Sequence, residues 1–397
     1  MNASARSLLA YLGLNGPTHR SELAEATRLS KAAVSTLARN LLEAGLIHEV
    51  ATARSTSGQG RPPVLLDVEP RYGFLVGVRL DDDPLISVLT DLKGGLLGQE
   101  ARALSERPEP DEVAAGIADS VRALLARARV DPGRLLGVGV AVSGIVDAAA
   151  GIVRHSAILG WDDVPLADAV GERVGAPVLV ENDANSVATY EHLYGSARGT
   201  DDFALVTVGR GVGGAQFVAG RLQRGHDGGA GELAHCTIDP GGRLCACGKH
   251  GCLDTIAARG AIFRAARERG LRAESMTALE ALAQRGDPHA LAALREAAAA
   301  LGLAVSHLIH LTDPGLVLIA GSEIHPNTVF ATAARQAVER NVLPRRLTTL
   351  NLAFRPLEPI SWAQGAAALA THSLLTGRLA LPPDGYSARA GSRAPLA

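Results

Sequence analysis

The sequence predicts an α/β protein made of an N-terminal winged helix-turn-helix and a larger, two-lobed α/β body. Three observations predict it. Three short runs of helical periodicity followed by a strand pair fill the N-terminal segment. Apolar strands alternate with long helices from Arg71 onward, and a strand–glycine–strand pattern occurs twice in that second part. At 397 residues and 47% hydrophobic, the chain can bury one large core or two, plus a small accessory domain.

In the first segment, Leu8, Leu9 and Leu12 recur at helical spacing, and Gly16-Pro17 ends the run. A second helix follows, with Thr18 or Ser21 at its N-cap and Leu23, Ala24 and Ala26 turned inward. Ser30 caps a third helix, from Lys31 to about Ala44, which Gly45 closes. Its apolar face is Val34, Leu37, Leu41 and Leu42, and its other face shows Lys31, Ser35, Thr36, Arg39 and Asn40. Residues 46–51 and 63–68 read as strands flanking a polar tip. Up to residue 62 there are seven basic and four acidic side chains, a net +3 that leaves −5 for the remainder of a chain of net charge −2. This excess points to a polyanion, and the architecture to double-stranded DNA, with Ser30, Lys31, Ser35, Thr36 and Arg39 presented to the major groove. A plain three-helix bundle with an ordinary charge fluctuation is the alternative. At the end of the wing, Gly60-Arg61-Pro62 is thin and extended, which suits insertion of Arg61 into a narrow A·T minor groove; the alternative is an interdomain linker.

The body opens with strands at 74–80 and 85–91, a Gly94-Gly95 turn, and a third strand at 96–101. A helix at 111–129 then leads to an apolar strand at 135–142. A second copy of the pattern appears at 203–208, the glycine-rich 209–214, and 215–219. Between the copies lies VLVENDANSVATY, residues 178–190, where a short buried strand ends in Glu181-Asn182-Asp183 and a helix begins. A carboxylate at such a junction can act as a base towards a hydroxyl in a cleft, or it can N-cap the helix. Ala-rich helices at 256–269 and 289–311 follow, then a strand at 316–320 and a helix at 362–376 that returns to the first lobe. From Pro382 the composition is rich in Pro, Gly, Ser and Arg, so the tail is expected to be disordered.

All four cysteines, Cys236, Cys245, Cys247 and Cys252, fall between Gly231 and Asp254, beside His235. Cys245 and Cys247 are one residue apart, a spacing that suits two thiolates converging on a metal better than a bridge between them. Gly248 and Gly251 let the chain turn back to bring Cys252 to the same point, and His235 can complete a closed Cys3His zinc site. Disulfides are the alternative, but nothing else in the chain points to an oxidising compartment. With four protein ligands the zinc would be structural. Cys236 is surplus and reads as a small buried hydrophobe. The longest uncharged apolar run, residues 135–146, is short of a membrane span, and no signal peptide is apparent, so a cytoplasmic location without a membrane partner is expected.

The order Gly231-Glu232-x-x-His235, then Cys245-x-Cys247-Gly248-x-x-Gly251-Cys252-x-Asp254, resembles the signature of the ROK family of repressors, open reading frames and sugar kinases. The likeness extends over about residues 5–375 and includes the DNA-binding segment fused to ROK regulators. It implies an actin-like (ribonuclease H-like) body whose zinc, held by His235, Cys245, Cys247 and Cys252, orders a sugar pocket. It also implies that Glu232, His235 and Asp254 contact sugar hydroxyls, with Asp254 standing where the family carries Glu. Asp183 matches the acid that deprotonates the sugar in ROK kinases, and Asn182 the residue that holds a hydroxyl.

Three positions depart from the family pattern. Where the kinases bind triphosphate with Asp-x-Gly-Gly-Thr, this chain has Arg79-Leu80-Asp81-Asp82-Asp83, whose carboxylates would repel phosphates and read as a solvated turn. Arg210 replaces a Thr in the second glycine loop, and Ile158 an Asn on the sugar side. The expected protein is therefore not an enzyme. It is a transcriptional regulator, a repressor of sugar-related genes, with a winged helix at 1–66, an effector domain at 67–380 and a tail at 381–397. Its partners are a DNA operator and a small sugar, and it is expected to be a homodimer or homotetramer. A regulator-fused ATP-dependent sugar kinase, or a ligand-blind DNA-binding protein with a relic kinase domain, are the alternatives.

Overall fold

Residues 2–51, 64–81 and 84–379 are described by the structure, a computed structural model. Apolar spacing sets the first helices, α1 (Ala3–Asn15), α2 (Arg20–Thr27) and α3 (Lys31–Glu43), which pack Leu8, Leu12, Leu23, Val34 and Leu41 together. Ser30 Oγ accepts the Ala33 N–H at 3.2 Å to cap α3, and Gly45 takes the left-handed turn (φ 70°) that ends it. The start of α2 differs from expectation. Its N-cap is His19, because Thr18 is drawn into a short strand, β1 (Thr18–His19). Strands β2 (Ile47–Ala51) and β3 (Val64–Val68) form the wing, and β3 lies centrally in the order β1-β3-β2. Gly60-Arg61-Pro62 lies outside the described residues, as do Asp82, Asp83 and the tail.

The first lobe is a five-stranded sheet. Strands β4 (Phe74–Leu80), β5 (Leu85–Asp91) and β6 (Leu96–Arg102) form an antiparallel meander, followed by α4 (Pro110–Ala128) and β7 (Leu135–Val142). A small sheet of β8 (Ile145–Asp147), β9 (Ile152–Ser156) and β10 (Trp161–Val164) precedes α5 (Leu166–Val174) and β11 (Val178–Asn182). Helix α6 (Asp183–Leu193) leads to the second lobe, where β12 (Phe203–Val208), β13 (Val212–Val218) and β14 (Arg221–Leu222) repeat the meander. There follow α7 (Asp254–Ala257), α8 (Arg259–Glu268), α9 (Met276–Gln284), α10 (Pro288–Thr312), β15 (Leu316–Gly321), α11 (Val329–Asn341), β16 (Asn351–Pro356) and α12 (Ser361–Leu375). The orders β11-β7-β4-β5-β6 and β16-β15-β12-β13-β14 are equivalent, with β7 and β11 parallel to β4 just as β15 and β16 are parallel to β12. The weak sequence echo is thus a true structural duplication.

Two expected elements are divided differently. The helix read at 256–269 breaks at Ala258, whose extended backbone (ψ 150°) separates α7 from α8. The second glycine loop is shorter than its composition indicates, because β13 already begins at Val212. Gly214 serves packing there: a Cβ would lie 2.5 Å from the Gly231 carbonyl oxygen.

Helix α12 returns to the first lobe and lies almost on the sheet backbone. A Cβ on Gly77 would meet the Ala363 carbonyl at 1.9 Å, and one on Gly139 the Ala366 carbonyl at 1.8 Å. Its C-terminal residues Leu374 and Leu375 join Leu193 at the end of α6 and Leu8, Leu9 and Leu12 of α1 in one apolar cluster. The winged helix and the body therefore share a core. Arg198 Nε to the Leu14 carbonyl (2.9 Å) and Lys93 Nζ to Asp67 (2.5 Å) add polar ties across the same boundary. Among the described residues α10 alone is long and apolar enough to cross a membrane, and 67% of that stretch is buried in the second lobe.

Candidate functional site

The site lies where β11 ends. Its pairing with β7, in register up to Asn182 against Val142, puts the β11–α6 junction at the carboxyl edge of the first sheet. Asn182 caps α6: its Oδ1 accepts the Asn185 N–H at 3.2 Å, while Nδ2 donates to the Gly144 carbonyl at 3.0 Å. The capping role open to Asp183 from the sequence thus belongs to its neighbour. Asp183 is the first helical residue, and its Oδ1 accepts the Ala184 N–H at 2.8 Å. Burial pushes its pKa up to about 6. The Ala184 N–H and the Arg79 guanidinium oppose that rise, while the Glu232 carboxylate adds to it. A carboxyl group so poised near neutrality is suited to accept from, or deprotonate, a hydroxyl.

Beneath it lies a pair that the sequence reading missed. The Glu181 side chain is only 3% exposed, and its Oε1 accepts the Asn182 N–H (3.1 Å) and Asn185 Nδ2 (3.0 Å). Its Oε2 takes Arg224 Nε at 2.5 Å, from the loop after β14 in the second lobe. The signal was available: a carboxylate inside the apolar run VLVEN must find a partner when buried.

His235, Cys245, Cys247 and Cys252 converge, with one ligand atom from each lying within 4.8 Å of all the others. Cys247 Sγ to Cys252 Sγ is 3.6 Å and Cys245 Sγ to His235 Nδ1 is 3.7 Å. A zinc tetrahedron with thiolate and imidazole ligands has edges of roughly 3.6–3.8 Å, so the residues fit the ion. The turn is built by Gly248 (φ 86°) and Gly251 (φ 70°), as expected; a Cβ at Gly251 would collide with the Asp239 carbonyl at 1.5 Å. Burial, with the adjoining Cys247 and Cys245 thiols, pushes Cys252 up to about 12, a proton affinity that a bound cation would overcome. Cys236 is exposed, contrary to the reading of a buried hydrophobe. It follows the turn Leu233–His235, and its carbonyl is held by the Leu253 N–H while its thiol faces outward.

The other face of the histidine leads towards the cleft, with His235 Nε2 at 3.8 Å from Glu232 Oε2. Asp254 is partly committed elsewhere, since its Oδ1 accepts the Val212 N–H at 3.0 Å and anchors the second glycine loop. Ile158 is exposed at the turn before Trp161.

The first hairpin holds the largest departure from the sequence reading. Asp81 is not a solvated turn residue: its side chain is 13% exposed and its two carboxylate oxygens are bridged by Arg79 and by Arg210. Arg79 in turn stacks over Trp362, with Cζ 5.2 Å from the ring centroid. The end of β4 thus carries a salt-bridged cluster and not a solvated carboxylate.

On the winged helix, Ser30, Lys31, Ser35, Thr36 and Arg39 are all exposed, along the start and outer face of α3. Ser35 Oγ folds back onto the Lys31 carbonyl at 2.8 Å. Arg61 lies outside the described residues.

Comparison with known proteins agrees with this geometry. The xylose repressor of Bacillus subtilis is 28% identical over 368 residues, covering 93% of both chains. The DNA-binding transcriptional dual regulator NagC of Escherichia coli is 29% identical over 373 residues, covering 92% of this chain and 91% of its own. Among solved structures, a ROK family transcriptional regulator that is a homolog of the E. coli MLC protein superposes with a TM-score of 0.81 at 26% identity, covering 94% of this chain and 96% of that one. Residues 1–55 match the MarR family and residues 76–373 match the ROK family. The chain belongs to the ROK family, with a MarR-type winged helix at its N-terminus.

Proposed function

We propose that this chain is a sugar-responsive transcriptional repressor acting on sugar-related genes. The winged helix at 1–66 would hold double-stranded operator DNA, and the effector domain at 67–380 a small sugar. The observation that carries the reading is α6 itself. It begins at Asp183 in the cleft and ends at Leu193, in the apolar core that also holds Leu12 of the winged helix. A shift of α6 on sugar binding is thereby delivered to the DNA-binding helices through packed side chains.

Asp183 accepts a sugar hydroxyl, and Glu232 and His235 Nε2 hold neighbouring ones. Asn182 contributes through whatever capacity its cap leaves free, and Asp254 acts mainly by fixing the glycine loop. His235 Nδ1, Cys245, Cys247 and Cys252 would hold a zinc ion, which with four protein ligands supplies a fixed loop geometry and no reactive position. Ser30, Lys31, Ser35, Thr36 and Arg39 meet DNA in the major groove, and Arg61 in the minor groove. A two-fold dimer or a tetramer suits a palindromic operator. A phosphoryl-transfer role is disfavoured by the Arg79–Asp81–Arg210 cluster, which puts a salt-bridged carboxylate where the resemblance to the kinases expects a phosphate-binding loop. Cytoplasmic location follows from the operator.

The test is a DNA-binding titration on the chain's own promoter region, with and without xylose, N-acetylglucosamine and glucose, alongside a coupled assay for ATP turnover. Release of DNA by one sugar with no turnover is the expected result. Sugar-dependent ATP consumption would overturn it.

A further inference from the structure

We infer that Asp81 and Arg210 form a latch that closes the two lobes on each other without a nucleotide, so that the sugar cleft of this chain is preset by its own side chains. This deepens the sugar-sensing proposal and rests on it for its consequence, but the latch can be read on the unliganded protein.

Asp81 follows β4 directly and so belongs to the first sheet, while Arg210 lies between β12 and β13 of the second. Both ends are firmly mounted. Asp81 is shared with Arg79, whose guanidinium lies on Trp362 at the start of α12. The Arg210 loop is fixed by Asp254 through Val212 (3.0 Å) and by the Arg259 N–H to the Gly209 carbonyl (2.9 Å). An ion pair between two preorganised groups loses little side-chain entropy on forming, unlike a pair of free surface chains.

A second cross-lobe pair, Glu181–Arg224, starts two residues before Asp183 in the chain. It differs in character. Its carboxylate and guanidinium are 3% and 26% exposed, against 13% and 38% for Asp81 and Arg210. The Asp81–Arg210 pair is thus the more exposed of the two and the one that water and salt reach more readily. Burial, with Arg79 and Arg259 nearby, pushes the Arg210 pKa down, and Asp81 is the carboxylate that Arg79 and Arg210 share. Because the Arg79 end rests on α12, which reaches Leu375 in the shared core, the latch also faces the route to the winged helix.

If closure is preset, a sugar meets a competent cleft, and its apparent affinity is reduced only by the small open fraction. Cutting the latch raises that fraction. The experiment compares full-length wild type with Arg210→Thr and Asp81→Asn, using small-angle scattering of unliganded protein and calorimetry with xylose, N-acetylglucosamine and glucose. We expect both variants to show a larger radius of gyration without sugar and sugar affinity weakened about 3- to 10-fold, with the double variant no worse than either single one. High salt should reproduce the expansion in wild type and have little further effect in the variants. Arg210→Lys, which keeps the charge, should recover part of the closed form and covers the case of a poorly folding single variant. Unchanged scattering in Arg210→Thr and Asp81→Asn, with melting temperature preserved, would overturn the latch. Absence of any sugar response in wild type would instead count against the sensing proposal, while leaving the scattering result to decide the latch.

Discussion

His235 Nε2 stands 3.8 Å from Glu232 Oε2, while the Nδ1 of the same ring stands 3.7 Å from Cys245 Sγ. One imidazole thus joins the cysteine cluster to the cleft. A metal on Nδ1 fixes the tautomer, leaving the proton on Nε2 to donate towards Glu232 or a hydroxyl.

Metal and ligand should therefore be lost together. Cys247→Ser is expected to lower bound zinc from about one per chain and to lower thermal stability. Because Cys247 shares no hydrogen bond with Glu232 or Asp183 among the described residues, weaker sugar binding in this variant would report the loop geometry. Elemental analysis with calorimetry measures both, and full metal content with unchanged sugar affinity contradicts the structural-zinc assignment.

Asp183→Asn should uncouple stability from function. The folded state favours the protonated carboxyl, whose pKa is raised from 3.8 to about 6, so the favourable contribution is complete below about pH 4 and disappears as pH rises through 6. Above that, charged Asp183 is a standing cost, and Asn should raise unliganded stability by about 1–2 kcal/mol at pH 7.5, with the gain vanishing near pH 4. Since Asn182 is the helix cap, no capping loss offsets it. Sugar affinity should fall about 10- to 150-fold with loss of a charged hydrogen bond worth roughly 1.5–3 kcal/mol. In wild type, affinity should climb as pH passes upward through about 6. Thermal melts and calorimetry across pH decide it, and equal sugar affinity in both proteins would reduce Asp183 to a structural residue.

Lys31→Ala and Arg39→Ala should each weaken operator binding while leaving the melting temperature within about 1 °C, since both side chains are exposed. A variant that loses a phosphate contact should also flatten the salt dependence by about one unit of slope. Arg61→Ala should act most on A·T-rich flanks; equal affinity on every flank would make that segment a linker.

Leu375→Ala tests transmission through the shared core. Leu375 is 5% exposed, and its Cδ1 lies where a Cβ on Gly13 would come within 2.5 Å. Truncation should cost about 2–4 kcal/mol and separate unfolding of the winged helix from that of the body. Sugar should still bind, but release less DNA. A full sugar response in this variant would show that the signal takes another route.

By itself the sequence determined the three helices of the head, the capping of α3 by Ser30, the individual strands of the two sheets and the spacing of the cysteine motif. Each rests on periodicity or spacing within a few residues, and such interactions are written locally. Tertiary structure alone decided the rest. Thr18 became a strand residue because β3 lies beside it, not because of its neighbours in the chain. Asp81 read as a solvated turn because its partner Arg210 is 129 residues away, and Glu181 finds Arg224 across 43. The joining of head and body through Leu12, Leu193 and Leu375 was equally invisible, since leucines at helical spacing state which face is apolar and not what it will meet. A periodic pattern encodes the demand for burial or charge pairing. Only the folded chain selects the partner, because that choice depends on which distant surfaces the two sheets bring face to face.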